Sequence, residues 1–219
     1  MTDRDLFAQH ATVVAPFLLG ALVTSRVGGR VVVVRVTEVE AYGGEGEDPG
    51  SHAFRRQTPR NASMFGPPGH SYEYFTYGIH WMLNCVTQPV GTAGAVLIRA
   101  GEVVEGVDVA RQRRPTSSRD RDLARGPARL ATSLGMDGSF DGLDLLDRRG
   151  RLRLAVGDGI PADQVAVSAR TGVAGPGASA PWRFYLRDEP TVSPYRPAPS
   201  RAGDRRPRRT AIAPTRPAT

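Results

Sequence analysis

Residues 21–42, ALVTSRVGGRVVVVRVTEVEAY, decide the architecture. Ala21 to Ser25 has the composition of a strand. Val27-Gly28-Gly29-Arg30 supplies a turn, because glycine accepts positive φ. Arg30 to Glu40 follows as a β-branched run carrying Val31, Val32, Val33, Val34, Val36 and Val39. The pattern predicts an antiparallel hairpin. Its second strand runs into Thr37-Glu38-Val39-Glu40-Ala41-Tyr42, where Glu38 and Glu40 share one face and Val39 and Ala41 the other, core-facing one. Two solvated acids on a surface strand are one reading. Catalytic carboxylates at the edge of a glycine-rich loop are the other.

Upstream, Asp5 to Gly20 reads as a helix. The longest apolar stretch, Ala11 to Val23, is interrupted by Pro16 and Gly20 and is far shorter than the ~20 residues of a membrane-crossing helix. Asp3, Arg4 and Asp5 make a poor basic leader for an export signal. With a single cysteine, Cys85, the expected setting is the cytoplasm. Downstream, residues 43–69 are rich in Gly, Pro, Asn and Asp and form a long loop of the kind that often carries function. Ser71 to Thr76, Trp81 to Thr87 and Ala95 to Ala100 read as strands, and Val103 to Arg113 and Pro127 to Leu134 as helices, the second with Pro127 in its first turn. Leu143 to Leu154 reads as a hairpin, and Gln164 to Ala169 and Trp182 to Leu186 as the last strands. The expected fold is α+β: a single domain over 1–194, with a curved, mainly antiparallel β-sheet core flanked by helices.

The 219 residues carry a formal net charge of +7. Residues 195–219 hold seven arginines, five prolines and one acid, with almost no large apolar side chain. That composition predicts a disordered basic tail, and leaves residues 1–194 close to neutral. All 29 basic residues are arginine. GC-rich coding accounts for such a bias, but the chemical consequence holds whatever its origin. Without lysine there is no ε-amine for a Schiff base, and arginine suits phosphate and carboxylate partners.

The polar residues of the middle third suggest a site. His52 lies in the long loop beside Arg55, Arg56 and Arg60, which are either a solvated cluster or a phosphate-binding one. Tyr72 and Tyr74 share one strand face, while Phe75, Tyr77, Ile79 and Trp81 share the other, so one aromatic set is free to stack on a planar ligand. Asn84 and Arg99 sit in apolar strands. Each needs a partner, and a buried arginine calls for a carboxylate. No Gly-x-Gly-x-x-Gly, Walker-type loop, nucleophile elbow or metal-type histidine pairing is present. Glu45, Glu47 and Asp48 are a weaker, cation-binding alternative.

Val39-Glu40-Ala41-Tyr42, Arg56-Gln57-Thr58-Pro59-Arg60-Asn61 with Met64-Phe65, and Tyr72-Glu73-Tyr74 with Tyr77-Gly78 resemble the alkyladenine (3-methyladenine) DNA glycosylase family. Leu97-Ile98-Arg99-Ala100, Gly126-Pro127-Ala128-Arg129-Leu130 and Arg183-Phe184-Tyr185 fit the same pattern, in order, to about Ser193. The resemblance implies a monofunctional base-excision enzyme that flips alkylated or otherwise damaged purines out of duplex DNA. It would hydrolyse the N-glycosidic bond and leave an abasic site. It implies Glu40 as the general base that activates water, with Arg99 holding the water and Glu40. Tyr42, His52 and Tyr74 would sandwich the flipped base, Asn84 would reject guanine, and Tyr77 would fill the gap in the duplex. Arg55, Arg56 and Arg60 are the expected DNA-backbone contacts. The family implies no metal and no cofactor. The expected partner is damaged double-stranded DNA, bound by a monomer with no membrane association. The rival readings are a non-catalytic nucleic-acid-binding module and a nucleosidase. A binder needs neither Glu40 nor Arg99, and a free nucleoside offers Tyr77 no duplex to fill.

Overall fold

A computed structural model describes residues 3–198. Eight strands form one mainly antiparallel sheet: β1 (Leu22–Val27), β2 (Arg30–Tyr42), β3 (Ser71–Thr76), β4 (His80–Val86), β5 (Ala95–Glu105), β6 (Leu152–Ala155), β7 (Val165–Ser168) and β8 (Arg183–Leu186). Four helices flank it: α1 (Asp3–Phe7), α2 (Ala11–Phe17), α3 (Val107–Arg113) and α4 (Pro127–Leu134). The architecture is the α+β one expected, and the hairpin forms around the Val27–Arg30 turn: Gly28 and Gly29 take φ of 59° and 72° between paired Val27 and Arg30.

β2 organises the molecule. Its first half pairs with β1, its last third pairs with β8, and β5 runs along its other edge. The sheet therefore branches along β2, where the order β3-β4-β5-β2-β1-β6 gives way to the β8-β7 arm. The β2–β5 register shifts twice near this branch, leaving Thr37 extra on β2 and Arg99 extra on β5. Such bulges re-aim side chains. Val32, Val34, Val36, Val39 and Ala41 bury into a core shared with Phe7, Leu130 and Leu134.

Three elements differ from the sequence reading. The first helix is two. The carbonyls of Phe7 and Gln9 both turn to the Gln88 amide (2.9 and 3.2 Å), and His10 starts α2 afresh by accepting from the Thr12 amide. Helix α3 starts late, because β5 keeps pairing with β2 as far as Glu105 before Gly106, at φ 74°, turns the chain. The Leu143–Leu154 hairpin shrinks to one backbone bond, from the Leu154 amide to the Leu145 carbonyl (2.7 Å), with no ladder between the two segments. Residues 152–155 add instead to the edge of β1, and Asp144 makes only an isolated bridge to His70, its carboxylate engaged by Arg4 at 2.7 Å. The expected tail falls largely outside the described residues. Of it, residues 195–198 are described, and the Arg196 carbonyl accepts from the Gly172 amide at 3.0 Å.

Candidate active site

Glu38 and Glu40 do share a face of β2, but neither is solvated: both have 0% exposure. The surface-strand reading is overturned, because the β8 arm, β5 and the segment around Ser193 close over that face. Arg99, the extra residue of β5, reaches both acids, with Nε on Glu38 (2.7 Å) and an Nη on Glu40 (3.2 Å). Burial works against its charge, but the two carboxylates more than offset that and raise its pKa above the ordinary value. Glu38 also accepts from Arg183 Nε (2.8 Å), the Ser193 amide (2.7 Å) and the Ser193 hydroxyl (3.0 Å). Desolvation would raise the Glu38 pKa, yet Arg99 and Arg183 hold it below the usual carboxylate range.

Glu40 has its own set of donors. One oxygen accepts from the Tyr42 hydroxyl (2.8 Å) and from Arg99, and the other from the Thr171 amide (2.6 Å). Of roughly four acceptor positions on a carboxylate, three are filled, and the open one lies on the oxygen bound by Thr171. Burial and the nearby Glu40 charge push the Tyr42 hydroxyl well above its ordinary pKa, so it stays a donor.

Beside this cluster opens a cleft of ≈ 450 Å³. Of the residues expected at the site, Tyr42, His52, Tyr74, Tyr77, Asn84 and Arg99 all border it. Glu40 lies directly behind Tyr42, Arg99 and Thr171. His52 stands edge to face against Tyr74 (centroids 4.6 Å apart), and its Nδ1 lies 2.9 Å from the Tyr72 hydroxyl. Burial and then Arg60 lower the His52 pKa, which favours the neutral ring. Asn84 is pinned by donating its amide to the Tyr72 carbonyl (3.0 Å). The Tyr74 hydroxyl, pushed up to about 12 by burial and then Glu40, also stays protonated.

The long loop owes its shape to two buried polar centres. Asn61 accepts from the amide and hydroxyl of Thr58 and donates to the carbonyls of His52 and Arg56. Asp48 accepts a two-pronged contact from Arg170 (2.6 and 2.7 Å) and backbone amides of Gly43 and Gly50. Arg170 in turn lies over the Tyr42 ring at 4.6 Å, which fixes one wall of the cleft. Asp48 is thus neutralised by an arginine, and Glu47 faces His10 at 2.9 Å. Among the described residues no group of three His, Cys, Asp or Glu side chains is placed to hold a metal ion.

Tyr77, at φ 52° and 90% exposed, stands at the tip of the β3–β4 hairpin, with Ile79 beside it at 68%. Arg55, Arg56 and Arg60 are exposed on the loop near this hairpin, and Arg60 donates to the Phe75 carbonyl (3.4 Å). Sequence reasoning missed the partner role of Glu38, although it alternates with Glu40; it named Asp48 only as part of a cation-binding alternative and Arg183 only within a matching motif, and it missed Arg170 and Thr171.

A family profile described as methylpurine-DNA glycosylase matches residues 5–190. The chain belongs to the methylpurine-DNA glycosylase family. It is 51% identical over 194 residues to a protein of Streptomyces avermitilis, a match covering 88% of this chain and 91% of the relative. It is 49% identical to one of Leifsonia xyli (91% and 95% covered) and 50% identical to one of Nocardia farcinica (85% and 87%). All three are named "putative 3-methyladenine DNA glycosylase".

Proposed function

We propose that this methylpurine-DNA glycosylase turns an alkylated purine nucleotide into the tyrosine cleft and hydrolyses its N-glycosidic bond with Glu40 as general base. The family makes it a DNA glycosylase of base excision repair acting on 3-methyladenine-type damage. The observation that carries the residue assignment is the Glu40 carboxylate, held by Tyr42, Arg99 and Thr171 with one acceptor position open.

Alkylation at a ring nitrogen places positive charge on the purine, which favours stacking on the rings of Tyr42 and Tyr74. A neutral His52 stacks without repelling that charge. As the glycosidic bond breaks, its electron pair leaves with the purine and neutralises it. The sugar becomes oxocarbenium-like, and a buried carboxylate stabilises that charge. Water adds its oxygen to the anomeric carbon and gives a proton to Glu40. Glu40 has no exposed surface, so the water is admitted between its neighbours. The Thr171 contact is the one that yields without breaking the Arg99 ion pair. Arg99 holds Glu40 in place, Asn84 offers a fixed amide to the edge of the base, and Tyr77 enters the duplex where the nucleotide has left. Arg55, Arg56 and Arg60 contact phosphates. The chain's lack of lysine fits hydrolysis by water rather than amine attack.

The test is single-turnover release of 3-methyladenine from alkylated duplex by wild type and Glu40→Gln. Removing a general base costs about 10²–10⁴-fold in rate. Base release by the glutamine variant at the wild-type rate would remove Glu40 from the reaction.

A further inference from the structure

A second cleft, of ≈ 600 Å³, adjoins the first, and Arg99, Pro127 and Thr171 border both. Its walls carry Arg114, Arg125, Arg129 and Arg196 against one acid, Asp122. Asp122 is already engaged by Arg125, at 3.4 Å. Arg114 is fixed by donating to the carbonyls of Asp122 and Leu123 (3.0 and 2.9 Å), and Arg125 by donating to that of Val192 (2.9 Å). Arg129 and Arg196 are exposed, and neither side chain has a hydrogen bond or ion pair among the described residues. The cleft is thus a rigid basic wall with two arginines free to meet an anion.

The junction of the two clefts says which anion. The bond to be cut lies beside Glu40, behind Arg99 and Thr171. The base occupies the tyrosine side, so the sugar and its phosphates must continue toward the other opening. We propose that the Arg114–Arg125–Arg129–Arg196 cleft binds the sugar–phosphate backbone next to the flipped nucleotide. This rests on the glycosylase reading above and extends it beyond Arg55, Arg56 and Arg60, which lie on the loop before the β3–β4 hairpin. Two further facts agree. Burial and then the nearby Arg129 charge lower the Arg114 pKa, only partly offset by Asp122, as expected where cations outnumber acids. Arg196 itself borders this cleft, and the sequence that follows it is rich in arginine.

The experiment uses the full chain with Arg129→Gln and Arg196→Gln, together and singly. Binding is measured on a lesion duplex across a salt series, and again with a neutral methylphosphonate replacing each phosphate flanking the lesion. The double variant is expected to bind the natural duplex about tenfold more weakly, with a salt slope shallower by roughly one to two. At one flanking position the methylphosphonate should weaken wild type but cost the variant nothing more. Unchanged affinity and slope, or losses that add fully at every position, would overturn the proposal. Inorganic phosphate raising the melting temperature of wild type but not of the variant, with duplex affinity and salt slope unchanged between them, would assign the cleft to a free anion and overturn the proposal. Both side chains are exposed and unpartnered, so an unchanged melting temperature in buffer is the folding control. Base release by wild type is scored separately. Its absence would sink the glycosylase reading, whereas a failed methylphosphonate cycle sinks only this cleft.

Discussion

Replacing Glu38 with glutamine tests the buried charge cluster without touching the proposed general base. One Glu38 oxygen accepts from Arg99 Nε (2.7 Å), Arg183 Nε (2.8 Å) and the Ser193 hydroxyl (3.0 Å), and the other from the Ser193 amide (2.7 Å). Glutamine keeps one acceptor oxygen and turns the other into a donor. Either orientation of its amide then sets a donor against a donor. Arg99 and Arg183 also lose the carboxylate they share, in a place with no exposure to water. Breaking such a pair from one side costs about 3–5 kcal/mol. For a domain of this size that corresponds to a fall in Tm of roughly 6–20 °C. Arg99 would still reach Glu40, but without its second anchor, and a misplaced positioning group costs on the order of a hundredfold in rate. The assay is a thermal melt together with single-turnover base release at a temperature well below both midpoints. A variant that melts with wild type and releases base at the wild-type rate would refute the view that Glu38 fixes Arg99 on Glu40.

Two other predictions follow from single side chains. Tyr77→Ala should leave Tm nearly unchanged, because the side chain is 90% exposed. It should weaken lesion-duplex binding by roughly tenfold, since one stacking contact is worth ~1–3 kcal/mol; equal affinity in a titration would exclude Tyr77 as the wedge. Glu73 is 5% exposed, with both carboxylate oxygens unpartnered, and burial followed by Asp141 and Asp137 pushes its pKa up to about 8. The folded protein therefore holds a proton that the unfolded chain releases above its ordinary carboxylate pKa. Stability contributed this way is full below that value and is lost as pH rises through about 8. Glu73→Gln should flatten the decline of Tm across that range, and parallel declines in the two proteins would count against it.

The hairpin around Gly28 and Gly29 was legible because turn chemistry and a valine run agreed over adjacent residues. Tyr74, His52, Asn84 and Arg99 were legible as site candidates because each is unusual for its local setting, an aromatic on both faces or a polar group in an apolar run. Their common border on one cleft is geometry that no local pattern states. What stayed hidden depends on long-range pairing. Glu38 reads as a surface acid until β8 and Ser193 cover it, 145 and 155 residues along the chain. Arg170 sits in an unremarkable stretch and meets Asp48 across 122 residues. The Leu143–Leu154 hairpin is curtailed for the same reason: residues 152–155 form their ladder with distant β1, and meet the preceding segment only through the Leu154–Leu145 backbone bond.

The same long-range pairing explains why total charge was a poor guide to DNA binding. Arg99 and Arg183 are consumed by Glu38 and Glu40, and Arg170 by Asp48; all three are buried and serve the fold and the carboxylate. Arg55, Arg56, Arg129 and Arg196 have no such partners among the described residues and are exposed. Only arginines of the second kind displace counterions from a duplex, so they alone set the salt dependence of binding. Arg55 and Arg56 sit on the loop before the β3–β4 hairpin and Arg129 on α4, two elements that border the tyrosine cleft, and Arg196 borders the adjoining basic cleft. A nearly neutral folded domain can therefore grip a polyanion strongly next to one nucleotide and weakly elsewhere, which is the distribution an enzyme that acts on a single lesion requires.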